Sequence, residues 1–258
     1  MKLFSKIILS GMSIALAVNL YAAKPEVIAH RGYWKTEGSS QNSIRSLVKA
    51  DSIKCYGSEF DVWMTKDGVL VVNHDPKING IDIVNANASE VTSQVLSNGE
   101  NVSTLDQYME AAKGVNTRLI FELKKHKDKN QEKKAVKDII KLMKKKKLTK
   151  RVEYITFSKE AMLDLIKLAP KGTPVYYLNG DMTPSELKAI NAAGMDYHIK
   201  KFIEHPEWIE ECHNLGLKVN VWTANKEEDM VRLIDQGVDF ITTDEPEKLQ
   251  KLIENKYK

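Results

Sequence analysis

The chain has 258 residues, 42% hydrophobic and 29% charged, a balance that excludes a disordered chain or a coiled coil and supplies enough apolar material for one large domain. Its formal charge of +4 becomes +2 if an N-terminal segment carrying Lys2 and Lys6 is removed, too small an excess to argue for nucleic acid. The two cysteines, Cys55 and Cys212, fit neither a disulfide framework nor a zinc site in number or spacing, so two buried free thiols are expected.

Lys2 and Lys6 precede an apolar run from Ile7 to Leu20 that ends in small residues at Ala22 and Ala23, the pattern of a secretory signal over residues 1–23. The uninterrupted apolar core is shorter than the ~20 residues a membrane span requires. No cysteine stands beside it to carry a lipid. An exported protein, periplasmic or secreted, is expected, with residues 24–258 as its domain and no membrane span once the signal is gone.

Glu26 to His30 reads as a short apolar strand that stops at His30-Arg31-Gly32, and Gln41 to Ser52 carries helical spacing through Ile44, Leu47 and Val48. Tyr56 to Asp75 reads as a strand, a tight turn and a returning strand. Alternation places Glu59 and Asp61 on one face and Phe60 and Val62 on the other. A two-residue type I′ turn at Asp67-Gly68 sets His74 opposite Asp61. Taken alone, such acids also fit the wet face of an edge strand.

Gly80 to Thr104 is rich in Asn, Ser and Gly and reads as a loop or small insertion. Leu105 to Lys113 is helical. Arg118 to Lys124 is a strand with Glu122 and Lys124 on one face and Phe121 and Leu123 on the other. A long basic helix from about Asn130 to Lys147 ends in four lysines, which read as a solvated terminus opposing the negative end of the helix dipole.

Beyond it a strand-helix unit repeats. Arg151–Phe157 precedes Ala161–Leu168, Pro174–Leu178 precedes Pro184–Ala193, and Asp196–Lys200 precedes Glu207–Leu215. Leu217–Trp222 and Val238–Thr242 flank a helix at Lys226–Gln236. Eight strands, nearly all followed by helices, predict a parallel sheet, and residues 24–258 suit a (β/α)₈ TIM barrel, for which ~250 residues is typical, with a small insertion after strand two. A doubly wound open sheet is the alternative, but no GxGxxG follows the first strand.

In such a barrel the site lies at the C-terminal rim of the strands, where His30, Arg31, Glu59, Asp61, Glu122 and Lys124 fall. Three carboxylates from adjacent strands repel one another unless a cation sits among them. Oxygen donors suit Mg²⁺ or Ca²⁺. His30 and His74 read either as further ligands of a transition metal or as a general acid and base.

The motifs HRG at 30–32, ExD at 59–61, TKDGVLVVNHD at 65–75, ELK at 122–124, VWTAN at 221–225 and GVDFITTDEP at 237–246 together resemble the glycerophosphodiester phosphodiesterase family. The resemblance implies a divalent-cation enzyme that cleaves glycerophosphodiesters to glycerol 3-phosphate and an alcohol. It implies metal ligation by Glu59, Asp61 and Glu122, catalysis by His30 and His74, and phosphate binding by Arg31 and Lys124. The nucleophile it implies is the substrate's own glycerol hydroxyl, which forms a cyclic phosphate that water then opens.

Trp222 is either an apolar wall for glycerol or a packed core tryptophan. One departure stands out: where the family has Pro-Glu-Asn-Thr, this chain has Ser40-Gln41-Asn42-Ser43, which removes a charge that Glu37 is a candidate to replace and suggests a different head group. The competing functions are a phospholipase C- or D-like enzyme on intact lipids, which needs an apolar membrane-binding surface, and a non-catalytic phosphodiester-binding barrel. Both histidines being present argues against the second.

Overall fold

The computed structural model describes residues 24–258, so the expected signal at residues 1–23 lies outside the described residues. The strands are β1 (Glu26–Ala29), β2 (Gly57–Met64), β3 (Leu70–Val72), β4 (Lys77–Ile78), β5 (Ile81–Asp82), β6 (Arg118–Leu123), β7 (Val152–Thr156), β8 (Val175–Tyr177), β9 (Gly194–His198), β10 (Lys218–Trp222) and β11 (Phe240–Thr243). The α-helices are α1 (Ile44–Ser52), α2 (Ala88–Thr92), α3 (Leu105–Ala112), α4 (Lys129–Lys146), α5 (Lys159–Leu168), α6 (Pro184–Ala189), α7 (Ile199–Glu204), α8 (Trp208–Asn214), α9 (Glu227–Gln236) and α10 (Pro246–Lys256).

Eight parallel strands run β1-β2-β6-β7-β8-β9-β10-β11, and β1 pairs with both β2 and β11, which closes the barrel. This is the expected (β/α)₈ barrel. Side-chain parity explains its two packing zones. Phe60, Val62, Phe121 and Leu123 point outward into the layer shared with the helices, where Phe60 meets Tyr108 of α3 at 4.7 Å between ring centroids. Ile28, Ile120, Ile155, Tyr176, Leu178 and Phe240 point inward and fill the barrel. Glu59, Asp61 and Glu122 share that inward parity; Glu59 is the register partner of Ile120, and Asp61 and Glu122 pair one inward position nearer the C-terminal rim.

Three elements differ from the sequence-based expectation. The turn after β2 has three residues, Lys66-Asp67-Gly68, closed by Thr65 N–H to the Val69 carbonyl, and Gly68 takes φ 83°. Val62 therefore pairs with Val72 and Met64 with Leu70, so the register is one residue off the one a type I′ turn would set. His74 does not sit directly across from Asp61; the Asp61 carbonyl instead accepts the Asn73 N–H at 3.0 Å. Secondly, the Asn- and Ser-rich stretch is folded. The β4-β5 hairpin and α2 cover a small cluster of Val71, Ile83, Ala86, Val91 and Val102.

The third difference lies around β9, which starts two residues earlier than the hydrophobic pattern indicates. Gly194 lies so close to β10 that a Cβ there would meet the Lys218 carbonyl oxygen at 1.8 Å. The His198 ring accepts the Lys200 N–H and starts the additional helix α7. At the end of α4 the lysines are not all solvated: Lys146 folds back to Asp106 and Glu110 of α3, at 2.9 Å from each. Cys55 and Cys212 are both buried free thiols, and burial pushes each up to about 12, far from reactive thiolate.

Candidate active site

Helix α1 begins at Ile44, capped by Ser43, three residues later than its apolar spacing alone suggests. That leaves Gln41 and Asn42 in the loop, and both are used. Asn42, in the left-handed region at φ 59°, donates its amide to Asp61 Oδ2 at 2.8 Å and accepts the Asp61 N–H at 3.0 Å. Gln41 Oε1 accepts from Arg31 Nη1 at 2.7 Å. The neutral amide thus holds the guanidinium, whereas Glu37 is exposed and makes no contact with Arg31, so the expected compensation is absent.

Glu59, Asp61 and Glu122 are 3, 1 and 7% exposed, and each offers an oxygen within 4.8 Å of the others. Asp61 and Glu122 are register partners on β2 and β6, and Glu59 is one inward position below on β2. Lys124, also buried, places Nζ 2.6 Å from Asp61 Oδ1 and 2.8 Å from Glu122 Oε1. Glu59 Oε2 accepts the Arg31 N–H at 2.7 Å, which the left-handed Arg31 backbone at φ 56° aims inward.

Burial, then the charges of Asp61 and Glu122, push Glu59 well above the usual carboxylate range. Burial and Asp61 likewise push Glu122 up to about 8. Burial would raise Asp61 too, but Lys124, His74 and the Asn42 amide outweigh it and hold Asp61 below its ordinary value. The cluster therefore carries more carboxylate than its neighbours neutralise. Glu59 Oε1 is buried without any partner, an arrangement that costs free energy unless something positive meets it. Three hard oxygen donors around one unsatisfied atom fit a divalent cation, and Glu59, Asp61 and Glu122 are the residues that can hold it.

The histidines lie on either side of this cluster and line one cavity of about 110 Å³ with Arg31, Glu59, Glu122 and Lys124. His30 follows β1, and its Nδ1 bonds Asp244 Oδ1 at 2.8 Å. Burial would raise Asp244, but its bonds with His30, Asn225 and Trp34 bring it down to about 2, so it is ionised. Asn225 Nδ2 donates to Asp244 Oδ2 at 2.7 Å and Trp34 Nε1 to Oδ1 at 3.1 Å. His74 Nδ1 bonds the exposed Asp75 at 2.8 Å, while its carbonyl accepts from Trp63 Nε1 at 3.1 Å. Burial is the main cause that lowers the His74 imidazole, against the opposing pull of Asp61.

Trp222 lines the same cavity with Ile155, Phe157 and Leu178, its indole edge-on to Phe157 and to His198. It is partly buried, with its Nε1 tied to the Asp196 carbonyl at 2.9 Å, and it lines the cavity. All eight residues expected from the sequence are therefore brought to one rim. Asn42, Asn225, Asp244 and Asp196 were missed as members of the site. Asn225 and Asp244 stand inside the VWTAN and TTDEP motifs, so their residue types were visible but their partners were not.

The family model for the glycerophosphoryl diester phosphodiesterase family matches residues 30–248. The chain is 31% identical over 246 residues to a glycerophosphodiester phosphodiesterase of Caldanaerobacter subterraneus, covering 89% of this chain and 98% of the relative. It is 48% identical to a glycerophosphodiester phosphodiesterase of Parabacteroides distasonis of known structure, with a TM-score of 0.89 over 91% of this chain and 99% of the other. A phosphodiesterase of Oleispira antarctica, solved with its product sn-glycerol-3-phosphate, shares the fold at a TM-score of 0.75 and 23% identity, with 91% and 98% of the two chains covered. With its barrel, buried acidic triad and flanking histidines in place, the chain belongs to the glycerophosphoryl diester phosphodiesterase family.

Proposed function

We propose that this protein is a divalent-cation-dependent phosphoric diester hydrolase that cleaves glycerophosphodiesters to glycerol 3-phosphate and an alcohol. The observation that carries the proposal is the meeting of the buried triad, with its orphaned Glu59 oxygen, and two imidazoles around a single cavity. Family membership and the product held by the Oleispira relative support the substrate class.

Arg31, steadied by Gln41, and Lys124 bind the phosphoryl oxygens and neutralise charge as it gathers on them. A bound Ca²⁺ or Mg²⁺ on Glu59, Asp61 and Glu122 supplies further electrostatic stabilisation of the same oxygens. One histidine takes the proton of the glycerol hydroxyl as its oxygen forms a bond to phosphorus. The other gives a proton to the alkoxide oxygen whose bond to phosphorus breaks. Water then opens the cyclic diester, with the two histidines exchanging roles. Trp222, Phe157 and Leu178 offer the glycerol carbons an apolar wall.

The N-terminal pattern Lys2 to Ala23 supports export to a periplasmic or extracellular space, where such diesters arise from deacylated lipids. The test is to incubate residues 24–258 with a panel of glycerophosphodiesters in Ca²⁺, Mg²⁺ or EDTA and to assay glycerol 3-phosphate. Release that depends on a divalent cation is expected. No release with any substrate under any metal condition rejects the proposal.

A further inference from the structure

The catalytic cavity is small, but it is not the largest concavity on this rim. A groove of about 1000 Å³ lies between the β4-β5 insertion and the start of α4. It shares no lining residue with the catalytic cavity, but its lining includes neighbours in the chain of the residues there. Pro76 and Lys77, just beyond His74, form one wall; Lys125, next to Lys124, stands on another; and Trp63, whose indole holds the His74 carbonyl, lines it between them. At about 110 Å³ the cavity suits a phosphate and three carbons, while the groove is of the size that takes a whole polar head group.

The charge of this groove is uneven in a particular way. Lys66, Lys77, Lys125, Lys127 and Lys134 line it, with Asp67, Asp82 and Asp128. Asp67 accepts from Thr65 Oγ1 and the Ala88 N–H, and Asp128 caps α4 through the Asn130 and Gln131 N–H groups. Lys134 is paired with Asp138 at 2.5 Å. Among the described residues, no acid pairs with Lys66, Lys77, Lys125 or Lys127, although Asp82 is free to offset them and the bonds to Asp67 and Asp128 fall on Oδ1 alone, leaving each Oδ2 open. With Lys134 paired to Asp138, four lysines against three aspartates leave this concave wall a net positive charge, which favours an anion over a cationic head group.

We infer that this groove is the subsite for the leaving alcohol and that it selects alcohols bearing a negative charge of their own, a further phosphate in particular. The inference rests on the hydrolase reading above. A diester seated with its glycerol carbons against Trp222 and Phe157 turns its other ester oxygen toward the His74 side, so the departing alcohol extends past Pro76 into the lysines. A phosphomonoester there meets several ammonium groups at once, whereas a choline or ethanolamine head group meets like charge.

A matched pair of substrates tests it: glycerophosphoinositol and glycerophosphoinositol 4-phosphate, which differ only by one phosphate on the leaving alcohol. The native enzyme is expected to favour the phosphorylated substrate in kcat/KM by about tenfold or more at low ionic strength, with the preference shrinking as salt rises. The variant K66Q/K77Q/K125Q/K127Q is expected to lose that preference, its kcat/KM on the phosphorylated substrate falling to that on glycerophosphoinositol. Equal kcat/KM for the two substrates with the native enzyme overturns the inference alone. So does an equal loss on both substrates in the variant, which would place the lysines on the shared part of the molecule. No turnover of either substrate by the native enzyme overturns the hydrolase reading, and the inference with it.

Discussion

His30 and Asp244, 214 residues apart in the chain, are joined by a 2.8 Å hydrogen bond at the seam where β1 meets β11. Asp244 is itself held by Asn225 and Trp34. The carboxylate fixes which face of the His30 ring turns to the cavity and which nitrogen is left for proton transfer. If His30 transfers a proton as proposed, Asp244 acts as its positioning residue. Asp244→Asn is expected to lower kcat by roughly a hundredfold, the low end of what a misoriented acid-base histidine loses, with KM and bound-metal content unchanged. A rise in KM with native kcat would show that Asp244 serves substrate binding instead.

The Arg31-Gln41 bond makes a second prediction, about binding. Gln41→Ala frees the guanidinium, whose buried Nε has no hydrogen-bond partner and only the longer ion pair to Asp61 Oδ2 at 3.9 Å, and is expected to raise KM by about three- to tenfold with kcat within about twofold. Gln41→Glu keeps the acceptor and is expected to stay within about threefold of native in both constants. If Gln41→Ala leaves KM unchanged in steady-state assays, Arg31 is positioned by something other than Gln41.

A third prediction concerns stability rather than turnover. Because the triad repels itself when empty, a divalent cation at a hundred times its Kd is expected to stabilise the fold by about 2.7 kcal/mol. For a domain of this size that raises Tm by about 5–10 °C. Glu59→Gln removes a buried carboxyl that is costly to ionise in the empty site, so in EDTA it is expected to melt at or above the native temperature, yet to gain much less from added Ca²⁺ or Mg²⁺. Equal gains in the two proteins, read by calorimetry, would place the cation elsewhere.

Asp196 gives the protein a pH dependence with a definite sign. It is buried beneath the cavity, and burial pushes it from its ordinary value near 3.8 up to about 7 against the opposing bond from Asn220. The folded state therefore binds this proton more tightly than the unfolded state. Stability from this group is fully present below about pH 4 and is lost as pH rises through about 7, a loss on the order of 4 kcal/mol. Asp196→Asn keeps an oxygen for Asn220 and removes the titration. Denaturant melts of the two proteins at pH 5 and pH 8 are expected to differ mainly at pH 8, with the variant the more stable. A native protein no less stable at pH 8 relative to the variant than at pH 5 would contradict this.

What was legible in the sequence and what was not divide along a physical line. Alternation along β2 and β6 is local, so the inward parity of Glu59, Asp61, Glu122 and Lys124 could be read from spacing alone, as could the eightfold strand-helix repeat that demands a parallel barrel. The hairpin register depended on whether Lys66 joins the turn, and the alternation of the two strands is compatible with either register. The start of β9 depended on Gly194 meeting the Lys218 carbonyl, a contact with β10 that no stretch of β9 contains.

By itself the sequence determined the order of the barrel strands and which of their side chains face the barrel axis, because both follow from backbone periods of two or 3.6 residues. Only the tertiary structure decided that Asn42 grips Asp61, that Gln41 holds the Arg31 guanidinium, that Asp244 bonds His30, and that four lysines without an ion-pair partner gather in one groove. Those relationships span 10 to 214 residues and hinge on left-handed turns at Arg31 and Asn42 and on the stagger at which the strands close, neither of which has a signature in any single segment.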